Sequence, residues 1–224
     1  MRLSALEPKR NGITQTRCQF MKQDAFVNQM RKYMPEPACI AGYQWLCKHP
    51  AKLKIAKPRK TKLGDFRIRG KNQIPEISVN GDLNPYAFTV TFTHEIAHLM
   101  DYMERGNLQN PHGQDWKTIY SNLLMELLEN DAFPIDLVPA VKQHIKSPKA
   151  ASCSDPELLD QLRLYDDNTT LTLKELPEGA TFILRNDRMF EKGELRRTRY
   201  RCIELSSGKP YLVHGQSEVK LHNS

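Results

Sequence analysis

The chain has 224 residues, of which 39% are hydrophobic and 26% are charged. A chain of this length and composition can bury one core of domain size and a small appendage. No apolar run approaches the roughly eighteen residues of a membrane-spanning helix. The opening "MRLSALEPKRNG" also lacks the apolar segment of a signal peptide. The sequence therefore predicts neither a membrane span nor a secretory leader, and we expect no membrane partner and a cytoplasmic location.

The cysteines indicate neither disulfides nor a cysteine-based zinc site. They lie far apart and form no C-x-x-C pair, at Cys18, Cys39, Cys47, Cys153 and Cys202. Disulfide frameworks and zinc ribbons both require closely spaced or paired cysteines. We expect each thiol to be reduced and buried singly.

Positive charge is concentrated in the first third of the chain. Residues 1–70 contain sixteen Lys and Arg against four Asp and Glu, whereas residues 71–224 contain seventeen against twenty-two. Within residues 48–71, ten side chains are basic and one is acidic. Such a stripe suits a phosphate backbone or an acidic partner, but a solvated sheet face explains it equally well. The candidate nucleic-acid contacts in this stripe are Lys54, Lys57, Arg59, Lys60 and Lys62.

The first predicted elements are two short helices and three strands. We predict a helix over 24–34, capped by Asp24, and a second helix over 38–48, separated by the breaker "PEP". Three short extended runs follow at 53–56, 65–69 and 76–79. Their connections favour a small, mostly antiparallel sheet.

A long helix is predicted next, with clear signals at both ends. Asn84 can cap it, Pro85 suits the first helical position, and Gly106 can end it after about residue 104. Apolar side chains recur on it every three or four residues, at Phe88, Phe92, Ile96, Met100 and Met103. Further helices are predicted from Gln114 or Asp115 onward and over 137–145.

The C-terminal part has a different character. Residues 147–156 are small and polar with two prolines, which is typical of a linker. After a short helix near 156–164, the runs "TFIL", "TRYRCIEL" and "PYLVH" predict an antiparallel β module, with "RNDR", "EKGE" and "SSGK" as connections. We therefore divide the chain into an N-terminal extension (1–23), a main domain (24–146), a linker (147–156) and a small, mainly β module (157–224).

The motif "THEIAHL" carries the chemistry. Residues four apart on a helix lie one turn above one another, so the imidazoles of His94 and His98 can converge on one cation. Glu95 is placed to reach a water on that cation rather than the cation itself. This arrangement is what a zinc hydrolase needs, because the carboxylate can take a proton from the water and later deliver it to a leaving amine.

A catalytic zinc usually has three protein ligands, so a third donor is required. The downstream candidates are Glu104, His112, Asp115 and His144. We favour His112, since Pro111 and Gly113 beside it favour a fixed turn that can return the imidazole to the metal helix. Asp115 more naturally caps the next helix, and we interpret His144 as an ordinary surface or boundary residue. Asp101, one turn beyond His98, is a candidate to orient a ligand imidazole, although a surface carboxylate is an equal alternative.

With its downstream stretch "NPHGQDWKTIYSNLL", the motif "TFTHEIAHLMD" resembles the SprT-like metalloprotease domain, over roughly residues 20–130. The resemblance implies an α+β, zincin-like (minigluzincin) fold with a small sheet over the metal helix. It also implies one Zn²⁺ held by His94, His98 and His112, with Glu95 as general base. Because the family includes the Spartan proteases, which act on proteins crosslinked to DNA, it makes DNA-associated proteolysis the leading expectation. The protein would then associate with the nucleoid in a bacterium or lie in the nucleus of a eukaryote.

The C-terminal module departs from that family. Many SprT-like proteins carry a zinc ribbon there, which Cys153 and Cys202 alone cannot build. Residues 185–202 nevertheless hold seven basic side chains against three acidic ones. Arg196, Arg197 and Arg199 are therefore further candidate contacts for single- or double-stranded DNA, with an ordinary charged hairpin as the alternative.

Three functions remain open from the sequence. The leading one is a zinc endopeptidase of low sequence specificity, acting on a protein substrate. A non-catalytic DNA-binding or regulatory protein could instead use the zinc to hold two helices together. A zinc amidase on the same scaffold is the third alternative.

Overall fold

The structure, a computed structural model, describes residues 22–59, 62–70, 73–107, 110–149, 155–167, 171–184 and 186–221. Most of the predicted N-terminal extension, Lys60 and residues 150–154 of the predicted linker lie outside these ranges. Two cysteines, Cys18 and Cys153, also lie outside them.

The chain divides into two compact units, of which the first ends at Tyr165 and the second begins at Asp166. The first unit contains α1 (Gln23–Met30), α2 (Glu36–Lys48), β1 (Lys52–Ala56), β2 (Gly64–Arg67), β3 (Glu76–Asn80), α3 (Pro85–Arg105), α4 (Gln114–Glu129), α5 (Val138–Lys146) and α6 (Pro156–Arg163). The second contains a 3₁₀ helix (Leu173–Glu175), β4 (Thr181–Ile183), β5 (Met189–Arg196), β6 (Arg199–Glu204), β7 (Pro210–His214) and β8 (Lys220–Leu221). The predicted α+β class is confirmed. The division differs from the predicted one, because α6 was assigned to the C-terminal module and lies in the first unit.

The three predicted strands of the first unit form one sheet, but its pairing differs from the prediction. The order is β1-β3-β2, with β1 parallel to β3 and β2 antiparallel to it. The expectation of a mostly antiparallel sheet was therefore wrong, because β1 and β2 are not neighbours. β3 occupies the centre with Ile77 and Val79 buried, and β2 forms an edge of the sheet.

Helix α3 begins and ends as predicted. The Asn84 side chain accepts hydrogen bonds from the backbone N–H groups of Tyr86 and Ala87, and Gly106 ends the helix in the left-handed conformation at φ 70°. Its apolar stripe is buried through Ile96, but Met103 in the last turn is 42% exposed. The predicted core stripe therefore ends before the helix does.

The other helices complete the core of the first unit, and α2, α4 and α6 contact α3 directly. Helix α1 begins without the predicted cap, since Lys22 occupies the N-cap position and Asp24 lies in the first turn. In α2, Trp45 is buried, and its Nε1 donates a 3.0 Å hydrogen bond to Oε2 of Glu126 on α4. This bond joins α2, which precedes the motif "THEIAHL" in the chain, to α4, which follows it.

The second unit contains a five-stranded antiparallel sheet, in agreement with the predicted antiparallel β module. The strand order is β7-β6-β5-β4-β8. The segment "EKGE", predicted as a connection, lies inside β5 instead. The pairing of β5 with β6 shifts register between Lys192 and Leu195. A side chain at Gly193 would overlap the carbonyl oxygen of Arg201, so glycine permits the close approach there.

Two further expectations concern the burial of the cysteine thiols and the absence of a membrane-spanning helix. Cys39 and Cys202 are buried free thiols, but Cys47 is exposed, which corrects the prediction that every thiol is buried. None of the described helices combines the length and the apolar character needed to cross a bilayer.

Candidate metal centre

Three imidazoles from one helix and one turn meet at a single point. Nε2 of His94 lies 3.2 Å from Nε2 of His98 and 3.4 Å from Nε2 of His112. His94 and His98 follow one another by one turn on α3, while His112 lies in the turn that precedes α4. One ligand atom from each residue lies within 4.8 Å of the others, so the three could hold a metal ion.

These separations fit a metal better than they fit three unrelated side chains. Two imidazole nitrogens on one tetrahedral zinc lie about 3.3 Å apart, because each Zn–N bond is about 2.0–2.1 Å long. His94 is buried, whereas His98 and His112 are half-buried, so the point of convergence has an open side. An open side is what distinguishes a catalytic site from a closed structural one.

The electrostatic surroundings keep the three rings neutral. Burial, followed by the neighbouring imidazoles, lowers the pKa of His94 to about 2. Burial also lowers the pKa of His98 to about 4 and lowers the pKa of His112. A neutral imidazole has a free lone pair, so the trio is ready to bind a cation without first losing protons.

Trp116 encloses the three imidazoles from one side. It is the third residue of α4 and is fully buried. Its ring centroid lies 4.7 Å from that of His94, 5.2 Å from that of His98 and 4.8 Å from that of His112. The tryptophan therefore contacts every candidate ligand and shapes the apolar wall of the site.

Glu95 follows His94 on α3 and packs against strand β2. It is only 6% exposed. Burial and the nearby Asp65 raise the pKa of its carboxyl to about 8, against the lowering effect of Arg59 and Lys62. A cation at the three imidazoles would oppose this rise, since positive charge favours the ionised carboxylate.

The close packing of Glu95 depends on glycine at position 64. A methyl group added there would overlap Oε1 of Glu95 and lie 2.8 Å from its Cγ and 2.8 Å from Cγ2 of Thr91. On the same strand, the Phe66 ring stacks on His98 with an angle of 12° between the planes. Strand β2 thus fixes the surroundings of both the candidate base and one candidate ligand.

Replacing Gly64 by alanine should displace the Glu95 carboxylate and leave the metal ligands in place. We expect about a 10- to 100-fold loss of hydrolytic rate with unchanged zinc content, because small displacements of a catalytic group have effects of this size. Gly70→Ala is the matched control, since its methyl group would meet only the Gln73 side chain at 3.8 Å. Loss of zinc in the Gly64 variant, or equal activity in both variants, would contradict this assignment.

The other candidate ligands lie elsewhere. Glu104 is exposed near the end of α3, and Asp115 is exposed in the first turn of α4. Asp115 does not cap that helix as predicted, because Gly113 occupies the N-cap position. The interpretation of His144 as a surface or boundary residue was wrong, since it is 1% exposed.

Asp101 is buried at the far end of α3 and forms an ion pair with Arg105. Its Oδ1 makes no hydrogen bond with any residue in the described ranges. The contacts of the described residues therefore show Asp101 holding Arg105, and they do not place it against a ligand imidazole.

The candidate nucleic-acid contacts differ in their availability. Lys54 and Lys57 are exposed, as are Arg197 and Arg199, whereas Lys60 lies outside the described residues. Arg196 is exposed and pairs with Glu194 at 2.6 Å.

Two basic residues of the stripe are already engaged by the sheet. Arg59 donates to Oδ1 of Asn80 at 2.7 Å and to Oγ of Ser78 at 3.0 Å. Lys62 forms a 2.7 Å ion pair with Asp65. These two side chains stabilise the connection around β2, so the part of the stripe that is free for a phosphate is narrower than the sequence indicated.

Comparisons of the chain with models of protein families, with curated proteins and with solved structures found no significant match.

Several residues that surround the site were not predicted from the sequence. Gly64 has the sequence context of an ordinary loop residue, and no neighbouring residue indicates its contact with Glu95. The spacing of four between Trp116 and Tyr120 does carry a signal, because it places both on one side of α4, just after His112. The pairing of His144 with Asp155 joins residues from two helices and has no local signal.

Proposed function

We propose that the first unit is a zinc-dependent metallopeptidase. The observation that carries this proposal is the convergence of three imidazole nitrogens at 3.2 and 3.4 Å, with one half-open side and a buried glutamate that directly follows His94 in the chain. His94, His98 and His112 would hold the ion, and Glu95 would act as general base. Three neutral imidazoles with an open position form a donor set that zinc hydrolases use.

The chemistry is a hydrolysis in which Glu95 handles the proton. A zinc ion bound by the three histidines would supply Lewis acidity, since it acidifies water and polarises a carbonyl. Glu95 takes a proton from the attacking water while the oxygen of that water bonds to the carbonyl carbon of the peptide. The same carboxyl then delivers that proton to the amine as the C–N bond breaks, which leaves the base ready for another turnover.

Strand β2 supplies a place for an extended substrate. It pairs with β3 on one side and lies at the edge of the described sheet, directly against α3 through Gly64 and Phe66. A peptide can add to such an edge through main-chain hydrogen bonds, which recognise little of its sequence. This supports an endopeptidase of low sequence specificity.

DNA-associated proteins are the substrate class that we propose. The resemblance of "HEIAH" and "HGQDW" to SprT-like proteases supports this choice, together with the exposed Lys54 on β1 and Lys57 just after it. Exposed basic side chains of this kind would bring the enzyme to a phosphate backbone through counterion release. The zinc would be the one cofactor needed for the cleavage.

The proposal is tested by cleavage of an unstructured protein substrate with and without DNA. We expect activity in the zinc-loaded protein, complete loss after chelation and recovery on addition of one equivalent of Zn²⁺. Small amide substrates in parallel assays distinguish a zinc amidase. Zinc uptake without cleavage of any substrate, including the chain itself and with single- or double-stranded DNA present, would favour a non-catalytic role for the metal.

A further inference from the structure

A buried histidine paired with a half-buried carboxylate lies behind the candidate metal centre. His144 on α5 is 1% exposed, and its Nδ1 lies 2.7 Å from Oδ2 of Asp155. The other carboxylate oxygen of Asp155 accepts a hydrogen bond from the backbone N–H of Leu158 at the start of α6. Asp155 thus fixes both the imidazole of one helix and the first turn of the next.

Tyr120 connects this pair to the metal centre. Its buried ring lies edge-on to His144 at 5.7 Å between centroids and edge-on to His94 at 5.5 Å. It also stacks on Trp116 at 4.9 Å, and Trp116 lies against His94 at 4.7 Å. A shift of His144 would therefore reach His94 through rings that are in direct contact, since buried side chains pack too closely to move independently.

The orientation of His94 depends on this packing. Metal-binding histidines almost always donate their second ring N–H to a carboxylate, a carbonyl or a water. Nδ1 of His94 is buried and makes no hydrogen bond with the described part of the chain. The Trp116 and Tyr120 rings are then what holds the imidazole plane so that Nε2 faces its two partners.

We propose that Asp155 and His144 are positioning residues for the metal centre. The carboxylate fixes the His144 imidazole, the imidazole fixes Tyr120, and Tyr120 together with Trp116 sets the orientation of His94. Neither member of the pair belongs to the three candidate ligands. This inference rests on the proposed function, because it needs a metal at the three histidines.

The test measures metal binding by the full-length chain rather than activity. Asp155→Ser keeps a good helix cap but removes the carboxylate from His144, and His144→Phe keeps a ring against Tyr120 but removes the hydrogen bond. We expect each variant to bind Zn²⁺ about 10-fold more weakly, the lower end of the effect of losing an outer partner of a metal ligand. Substitution with Co²⁺ should give an altered visible absorption spectrum in both.

The conservative variant and a matched control separate positioning from general stability. Asp155→Asn keeps the cap through its one oxygen, and its amide N–H can donate to Nδ1 of His144 in the other imidazole tautomer, so its Zn²⁺ affinity should stay within about threefold of the wild type. Tyr165→Phe removes a comparable hydrogen bond to Asp136, at 2.6 Å, from the same unit and should leave metal binding unchanged.

Each outcome decides one of two questions. Wild-type Zn²⁺ affinity and Co²⁺ spectrum in both Asp155→Ser and His144→Phe would overturn the positioning role, even if both variants melt earlier. If His144→Phe does not fold, Asp155→Ser decides alone. A wild-type chain that takes up no metal would overturn the metal centre itself, and with it the positioning pair.

Discussion

Glu95→Gln should abolish peptide hydrolysis while the protein keeps its zinc. Glutamine has the same shape as glutamate and leaves the three histidines intact, but its amide cannot accept the proton of the attacking water. We expect a rate loss of about 10²- to 10⁴-fold, the usual contribution of a general base. Zinc content by elemental analysis and cleavage of an unstructured protein give the two measurements.

Glu104→Gln is the control for this substitution. Glu104 lies on the same helix, nine residues further on, and is exposed. Its variant should behave like the wild type in both measurements. Full activity in Glu95→Gln would refute the role of Glu95, whereas loss of zinc from that variant would show that Glu95 supports the metal site rather than the reaction.

His112→Ala should remove the metal. With His94 and His98 alone, the site keeps two ligands from a single helix, which is too few for a stable catalytic zinc. We expect Zn²⁺ affinity to fall by more than about 100-fold, since even outer partners of metal ligands change affinity by 10- to 100-fold. Competition with a chelator of known affinity measures the change.

His49→Ala provides the comparison, because His49 lies in the same unit and does not belong to the triad. It should retain one equivalent of zinc. If His112→Ala bound zinc as tightly as the wild type, the third ligand would have to be another residue and the site geometry would need a different interpretation.

Helix α3 was predictable from the sequence because the residues that begin it, end it and carry the two histidines are close together in the chain. Asn84 and Pro85 open it, Gly106 closes it, and the spacing of four between His94 and His98 follows from the helix repeat. In the same way, Pro111 and Gly113 on either side of His112 favoured it as the third metal ligand. Each of these inferences needs only residues within a few positions of one another.

The sheet could not be predicted with the same success, because strand order depends on distant contacts. The connections after β1 and β2 are short. Short connections favoured the prediction that strands adjacent in the chain pair with one another in the sheet. Instead β3 enters between β1 and β2, and Arg59 holds the intervening connection by bonding Ser78 and Asn80. A guanidinium used in this way looks, in the sequence, like one more positive charge on a surface.

The boundary of the two units was misplaced for a similar reason. Residues 147–156 have linker composition, yet Asp155 at their end bonds His144 and caps α6. The Asn84 side chain also donates to the carbonyl of Leu162, which fixes α6 to the start of α3. Composition indicates where a chain can be flexible, but only these long-range bonds show where the packed unit ends.

The four-residue length of β2 has a consequence for how the proposed peptidase would be controlled. An edge strand paired on one side opens locally far more easily than a central strand, so the amide hydrogens of Gly64–Arg67 should exchange with solvent sooner than those of Glu76–Asn80. The contact that orders Glu95 belongs to that easily opened strand. A peptide bound along its free edge would hold β2 closed, and the substrate would thereby organise the base that cleaves it.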